Sequence, residues 1–357
     1  MVIFVLRSVL LKFYIMRNRK ILYFIFIIFL IAAAKARANY QFTKISLEQG
    51  LSQSTVLDIV QDSIGYMWFA TPNGLNRYNG YEVEVFRTGL NDSLSVCSRN
   101  IRRLYVDKLN RIWIGGESGI SYYSYDTGYF KNYRLFRPEE KNTVTGIVID
   151  AQQRIWLSVL NGDICLYNKA EDKFSKISLK PALRKGETIN KLVDRQGELL
   201  VCTSGGVYRL DKKTYRTTSV NIGLPSVNIH NAVCAPNGEI WLATGGEGIY
   251  ILDSKFRPIR NYRHEPGRAE SLLSDIVRAL EIDSQGTVWV GTFKGLSVLK
   301  PSARHFENYQ ASQNGPFALS HNSIRSIYAD RNGGVWIGTF YGGISYYNSP
   351  LKIQHIG

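Results

Sequence analysis

The residues in this 357-residue chain best suited to chemistry are basic and aromatic. An aspartate recurs in a short turn motif along the chain. Five positions before each copy, or before Ala235 where alanine takes its place, lie Leu57, Arg102, Thr145, Ile189, His230, Arg278 and Arg325. A second column follows a recurring tryptophan and includes Asn73, Glu117, Asn161, Glu247, Phe293, Lys294, Phe340 and Tyr341. Guanidinium groups grip a carboxylate or sulfate through paired hydrogen bonds, and aromatic faces stack on sugar rings. The candidate ligand-binding set is therefore Arg102, His230, Arg278, Arg325, Phe293, Phe340 and Tyr341, suited to a carbohydrate or an anionic sugar. The competing reading pairs these arginines with neighbouring carboxylates or leaves them solvated at a channel mouth.

Other chemistries find less support. The five histidines, at 230, 264, 305, 321 and 355, include no pair at HExxH spacing, so no metal site is expected. Glycoside cleavage wants two carboxylates about 5–10 Å apart across a cleft. The turn aspartates repeat unit after unit and read as structural, which leaves only Glu117 and Glu247, three units apart. No catalytic residue and no cofactor is assigned. Four cysteines cannot staple a chain of this length, and Cys165, Cys202 and Cys234 fall in strand patterns that suit buried thiols. Lys and Arg total 44 against 29 Asp and Glu, a formal charge of +15. Seven of those bases fall in residues 1–38, which hold no acid, so the remainder is 37 against 29, or +8. That surplus is spread thinly, with no dense basic run of the kind that marks nucleic-acid binding.

The elements that must position these residues are repeats. Six tryptophans occupy one phrase, in GYMWFAT (65–71), NRIWIGG (110–116), QRIWLSV (153–159), GEIWLAT (238–244), GTVWVGT (286–292) and GGVWIGT (333–339). A seventh copy, GELLVCT (197–203), has leucine instead. The anchors Trp68, Trp113, Trp156, Leu200, Trp241, Trp289 and Trp336 are 41 to 48 residues apart, the period of a β-propeller blade. Each unit gives an apolar strand, a turn running from Asp to Gly (Asp62 to Gly65, Asp194 to Gly197, Asp283 to Gly286, Asp330 to Gly333), the anchor strand, and two more strands. Two residues past each anchor stands Ala70, Gly115, Ser158, Cys202, Ala243, Gly291 or Gly338, all small. Positions i and i+2 share a face of a strand, so each bulky anchor sits beside a small neighbour, as wedged sheets require. The fold class is all-β: a seven-bladed propeller of four-stranded antiparallel blades over residues 39–357.

The chain's ends carry two further expectations. Arg17, Arg19 and Lys20 precede the apolar run ILYFIFIIFLIAAA (21–34), and Ala36-Arg37-Ala38 completes a signal-peptidase pattern. Residues 1–38 are thus a signal peptide, with an uncleaved anchor as the alternative and Met16 as an alternative start. At the other end, LKIQHIG (351–357) fills the place of a seventh outer strand, yet QFTKIS (41–46) also matches the outer-strand phrase. If QFTKIS completes the last blade, LKIQHIG is surplus and the chain is an N-terminal piece of something longer.

GLSQSTVLDIVQDSIGYMWFATPNGLNRYNGYEVEVFR (50–87) resembles the opening repeat of the two-component regulator propeller family, the periplasmic sensor region of Bacteroidetes hybrid two-component systems. The resemblance covers essentially 40–357. It is specific in units one, two, six and seven and looser in three and four, where Gln153 and Leu200 depart from the pattern. It implies a periplasmic sensor module for glycan-derived oligosaccharides that controls a signalling kinase, which is absent here along with its phosphoacceptor and ATP-binding motifs. The implied partners are an oligosaccharide, the following propeller and sandwich domains of a longer, inner-membrane-anchored sensor, and, left open, a second copy in a homodimer. The alternatives are a non-catalytic scaffold for protein partners and a carbohydrate-active hydrolase or lyase.

Overall fold

Each repeat is organised by its turn aspartate. In the first, Asp62 is fully buried, and its Oδ1 accepts the backbone N–H groups of Ile64 (3.0 Å), Gly65 (2.9 Å) and Tyr66 (3.0 Å). Its Oδ2 accepts Nε1–H of Trp68 at 2.7 Å. One carboxylate thus fixes a hairpin and orients the indole packed beside it. The same bond joins Asp107 to Trp113 (3.0 Å), Asp150 to Trp156 (3.0 Å), Asp283 to Trp289 (2.8 Å) and Asp330 to Trp336 (2.8 Å). Blade five has Ala235 in that place, and Glu239 accepts from Trp241 at 3.2 Å instead. Gln153 departs from the glycine pattern yet holds the same left-handed backbone, at φ 63°.

The computed structural model describes residues 40–348 apart from 90–91, 137–141, 225, 313–314 and 316. Residues 1–38, expected from the sequence to be a signal peptide, and LKIQHIG (351–357) lie outside the described residues. Seven separate four-stranded antiparallel sheets follow one another, and each begins with its innermost strand. Every innermost strand contacts those of its two neighbours, and that of blade seven meets that of blade one, so the sheets form a ring. Phe42–Ile45 pairs antiparallel with Ile344–Tyr347 and completes blade seven. QFTKIS is therefore the closing outer strand, which removes an open edge. Among the described residues the only helical segment is a 3-10 turn at Leu47–Gln49, and no helix is long and apolar enough to cross a membrane.

The packing explains the large-small pattern. Trp68 packs with Ile101, Leu104, Ile112 and Tyr123 of the next blade, and Trp113 with Val144, Ile147 and Phe174 of the one after. Beside the indole the next blade's innermost strand approaches closely. A Cβ on Gly115 would lie 2.5 Å from Val144 Cγ1, and one on Gly291 2.5 Å from Ile324 Cγ2. Gly291→Val is therefore expected to cost about 1–3 kcal/mol by overpacking, read as a lower urea midpoint with an unchanged slope. All four cysteines are free. Burial pushes the thiols of Cys165 and Cys202 up to about 12, while Cys234 is only half-buried.

Blade four departs from its siblings in register. Arg195 pairs directly with Glu198 across a two-residue turn, whereas in blade one Gln61 pairs with Met67. The hairpin is one residue shorter, so Asp194 stays in the strand opposite Leu199 and ion-pairs with the buried Lys212. The Leu200 side chain carries no N–H to satisfy, so the missing tryptophan and the displaced aspartate go together. The shift overturns one expected position: Ile189 is fully buried in the core, and Asn190 takes the column place.

Candidate functional site: the channel mouth

Six of the seven innermost strands break register near their start, between Ile101 and Arg103, Val144 and Gly146, Ile189 and Lys191, Ile229 and Asn231, Val277 and Ala279, and Ile324 and Ser326. The residue skipped in each is Arg102, Thr145, Asn190, His230, Arg278 or Arg325. A bulge re-aims the side chain it carries. Here it sets these residues at one end of the central channel, beside the loop that follows the anchor strand.

Arg278 lies over the Phe293 ring with its guanidinium 5.3 Å from the centroid, and Arg325 over Phe340 at 4.6 Å. Tyr341 meets Phe340 edge-on at 4.3 Å and His321 at 5.8 Å. Phe293 is 48% exposed and Tyr341 64% exposed, so open aromatic surface flanks the two arginines. Arg278 donates to Ser323 Oγ at 3.2 Å, and among the described residues neither arginine has a carboxylate within ion-pair distance. Arg325 Nε is buried with no hydrogen-bond partner. Burial holds both guanidinium groups below their ordinary range, and Arg325 is lowered further by Arg278, Arg102 and Arg103.

The other expected residues divide. Arg102 does pair with a carboxylate, Glu117 Oε1 at 3.3 Å, as the competing reading had it, although its Nε is also buried and unpartnered. His230 places Nδ1 2.8 Å from the Val277 carbonyl and Nε2 3.1 Å from Asn228 Nδ2. Burial, with Arg278 and Arg325 nearby, lowers its basicity, so the ring is neutral: it donates from Nδ1 and accepts at Nε2. Of the remaining loop acids, Glu247 is held by Arg263 at 2.9 Å. No group of His, Cys, Asp or Glu among the described residues is arranged to hold a metal.

One register step deeper, the channel holds residues the spacing argument missed. A pocket of about 80 Å3 is lined by Asp58, Arg103, Lys191, Asn231 and Glu281 below His230, Arg278 and Arg325. Arg103 donates to the carbonyl oxygens of Thr145 (2.7 Å), Arg102 (2.8 Å) and Asn190 (3.2 Å), lacing blades two, three and four. Glu281 has its carboxyl raised to about 7 by burial, against the pull of Lys191, although part of its surface faces the lumen. The available signal was a charged residue inside an innermost strand, as in RRLYV, NKLVD and ALEI, where a purely structural strand would be apolar. A larger hollow of about 590 Å3 lies on the outer strands of blade three, away from the channel. The channel mouth is the better candidate because charged groups of several blades converge there.

Fold and site together define a seven-bladed repeat propeller with a basic, aromatic mouth. Segments 50–73, 271–294 and 318–341, in blades one, six and seven, match the model of the two component regulator propeller family. The extracellular domain of a putative hybrid two component system from B. thetaiotaomicron superposes with a TM-score of 0.75 at 26% identity, over 87% of this chain and 42% of that one. The extracellular domain of a putative one component system from the same organism gives 0.70 at 22%, over 87% and 40%. Histidine kinase P4 of Formosa agariphila is 39% identical over 82 residues, 23% of this chain and 6% of that protein. Virginiamycin B lyase from Staphylococcus aureus, with a TM-score of 0.67 at 13% identity, shares the fold alone. The chain spans less than half the length of the two-component relatives it matches.

Proposed function

We propose that this chain is the exported, periplasmic sensor module of a hybrid two-component regulator, delivered by the signal in residues 1–38. It binds glycan-derived oligosaccharides at the channel mouth to control a kinase carried elsewhere in the system. The observation that supports this most directly is the pair of arginines, Arg278 and Arg325, stacked on Phe293 and Phe340 and without a carboxylate partner among the described residues. A guanidinium held over an aromatic ring is pre-positioned for an acidic or hydroxyl-rich ligand, and the exposed ring faces offer stacking surface. The module binds and does not cleave: Glu117 and Glu247, the acids of the rim loops, are each held by an arginine and sit three blades apart.

Calorimetric titration of the full chain with neutral, carboxylated and sulfated oligosaccharide fragments tests this reading. Saturable binding is expected for at least one fragment class. Arg278→Ala and Arg325→Ala should each weaken it about tenfold or more, the worth of one charge-assisted hydrogen bond, with an unchanged far-ultraviolet spectrum. A flat response across the panel would favour the scaffold reading, in which the same rim receives a protein.

A further inference from the structure

The small pocket beneath the rim has a composition of its own. Arg103, Lys191, Arg278 and Arg325 contribute four positive charges, and Asp58 and Glu281 two negative ones, leaving an excess of two with His230 neutral. Asp58 is already engaged, accepting the backbone N–H of Leu104 at 3.0 Å and of Ile59 at 3.1 Å. Arg103 commits three of its five N–H donors, one on each nitrogen, to carbonyl oxygens, so its main contribution to the pocket is charge. Lys191 has neither hydrogen-bond nor ion-pair partner among the described residues, and Arg325 Nε is buried without one. Clustered cations with unmade hydrogen bonds are costly in a confined space, and a bound anion offsets both costs.

Size and symmetry narrow the anion. A pocket of about 80 Å3 is far below the ~300 Å3 at which pockets for organic ligands begin, yet it exceeds the space needed by one water. It therefore excludes a sugar ring and admits a small group. Its free donors approach from blades four, six and seven around a ring, which suits oxygens pointing in several directions better than a planar carboxylate. We propose that the channel mouth is a pocket for one tetrahedral oxyanion, held by Arg278 and Arg325 at the top and Lys191 below. Two sources share that chemistry: free inorganic sulfate or phosphate, and an O-sulfo substituent of a sugar lying on Phe293, Phe340 and Tyr341. The second source rests on the glycan reading above; the first does not.

Glu281 makes the site proton-linked. The groups around it are Asp58, Arg103, Lys191, His230, Arg278, Arg325, Tyr328 and its own strand's Asp283. Glu281, raised to about 7 by burial, gains its proton as pH falls from 8 to 6 and so removes a negative charge from the pocket, while burial holds His230 in the opposite direction, below the usual imidazole range.

The test titrates sodium sulfate into the full chain at constant ionic strength, at pH 6 and pH 8. We expect saturable one-to-one binding, about tenfold tighter at pH 6, and about tenfold weaker in Arg325→Gln and Lys191→Met. Glu281→Gln should bind at pH 8 as tightly as the unaltered chain at pH 6, a gain that misfolding cannot produce. Absence of saturable sulfate binding, or binding indifferent to Arg325→Gln and Glu281→Gln, overturns the proposal. Competition then assigns the source. Displacement of sulfate by a sulfated fragment but not by its desulfated form assigns the substituent, and displacement by neither assigns the free ion. Sulfate binding without any glycan binder removes the glycan reading and keeps the pocket. Glycan binding without sulfate binding does the reverse.

Discussion

A full chain lacking residues 41–46 is expected to lose cooperative folding. That segment contains Phe42–Ile45, which pairs with Ile344–Tyr347 and supplies the outer strand of blade seven. Phe42 is 1% exposed, set edge-on between Tyr309 of blade six at 6.1 Å and Tyr347 at 6.4 Å, and Ile45 is 5% exposed. Truncating one buried phenylalanine costs about 3–5 kcal/mol and one isoleucine about 2–5. Lost ladder hydrogen bonds add about 1 kcal/mol each. The sum is comparable with the whole stability of an ordinary domain, about 5–15 kcal/mol. The deletion also exposes Ile344–Tyr347 as an unpaired edge beside the seam of the ring, and such edges recruit other chains. Thermal unfolding by circular dichroism and size-exclusion chromatography should show a broad, non-cooperative loss of signal and soluble aggregates. Phe42→Ala should lower the transition without abolishing it. A sharp transition within a few degrees of the parent chain would mean that the ring does not depend on this strand.

Asp62→Ala should be the most damaging single substitution at a turn, at about 3–5 kcal/mol. The side chain is fully buried and accepts five hydrogen bonds: three from the turn backbone, one from Trp68 Nε1, and one from the Tyr125 hydroxyl of the next blade. Alanine removes the acceptor from all of these donors, leaving only the Gly65 N–H with a second partner, the Asp62 backbone carbonyl at 3.2 Å. The Asp62 carbonyl also receives Arg331 of blade seven, so the hairpin sits where three blades meet. Asp62→Asn keeps the shape and an acceptor oxygen for the turn, yet presents N–H groups to the indole and phenol donors; about 1–2 kcal/mol is expected. Urea unfolding of the two variants measures the difference. Equal effects would mean that volume matters here and the acceptor does not.

How far the sequence carried this description depends on the range of the interaction involved. Blade count, the identity of the wedge residues and the aspartate's part in the turn were legible because they are encoded within about ten residues of each tryptophan, and the ring repeats them. The closing strand was legible because QFTKIS resembles the outer strands it joins. The failure at Ile189 has an equally local cause. A hairpin one residue shorter leaves the aspartate-to-anchor spacing unchanged at six while moving the strand by one, and one step in a strand exchanges its two faces. Distance along the chain could not register that; only the pairing partners could.

The site itself divides on the same physical line. From its residues alone the chain determined a propeller with arginines, a histidine and aromatics collected on one rim, since fixed offsets in repeated units must end at equivalent heights. Tertiary structure alone decided which of those arginines are neutralised. Arg102 meets Glu117 within its own blade, whereas Arg278 and Arg325 meet aromatic rings, and nothing in the offsets distinguishes the two outcomes. It also decided that Asp58, Arg103, Lys191 and Glu281, drawn from four blades, share one narrow channel. The physical reason is closure: a ring brings together side chains more than two hundred residues apart, and charge pairing, desolvation and pocket volume are properties of that through-space neighbourhood.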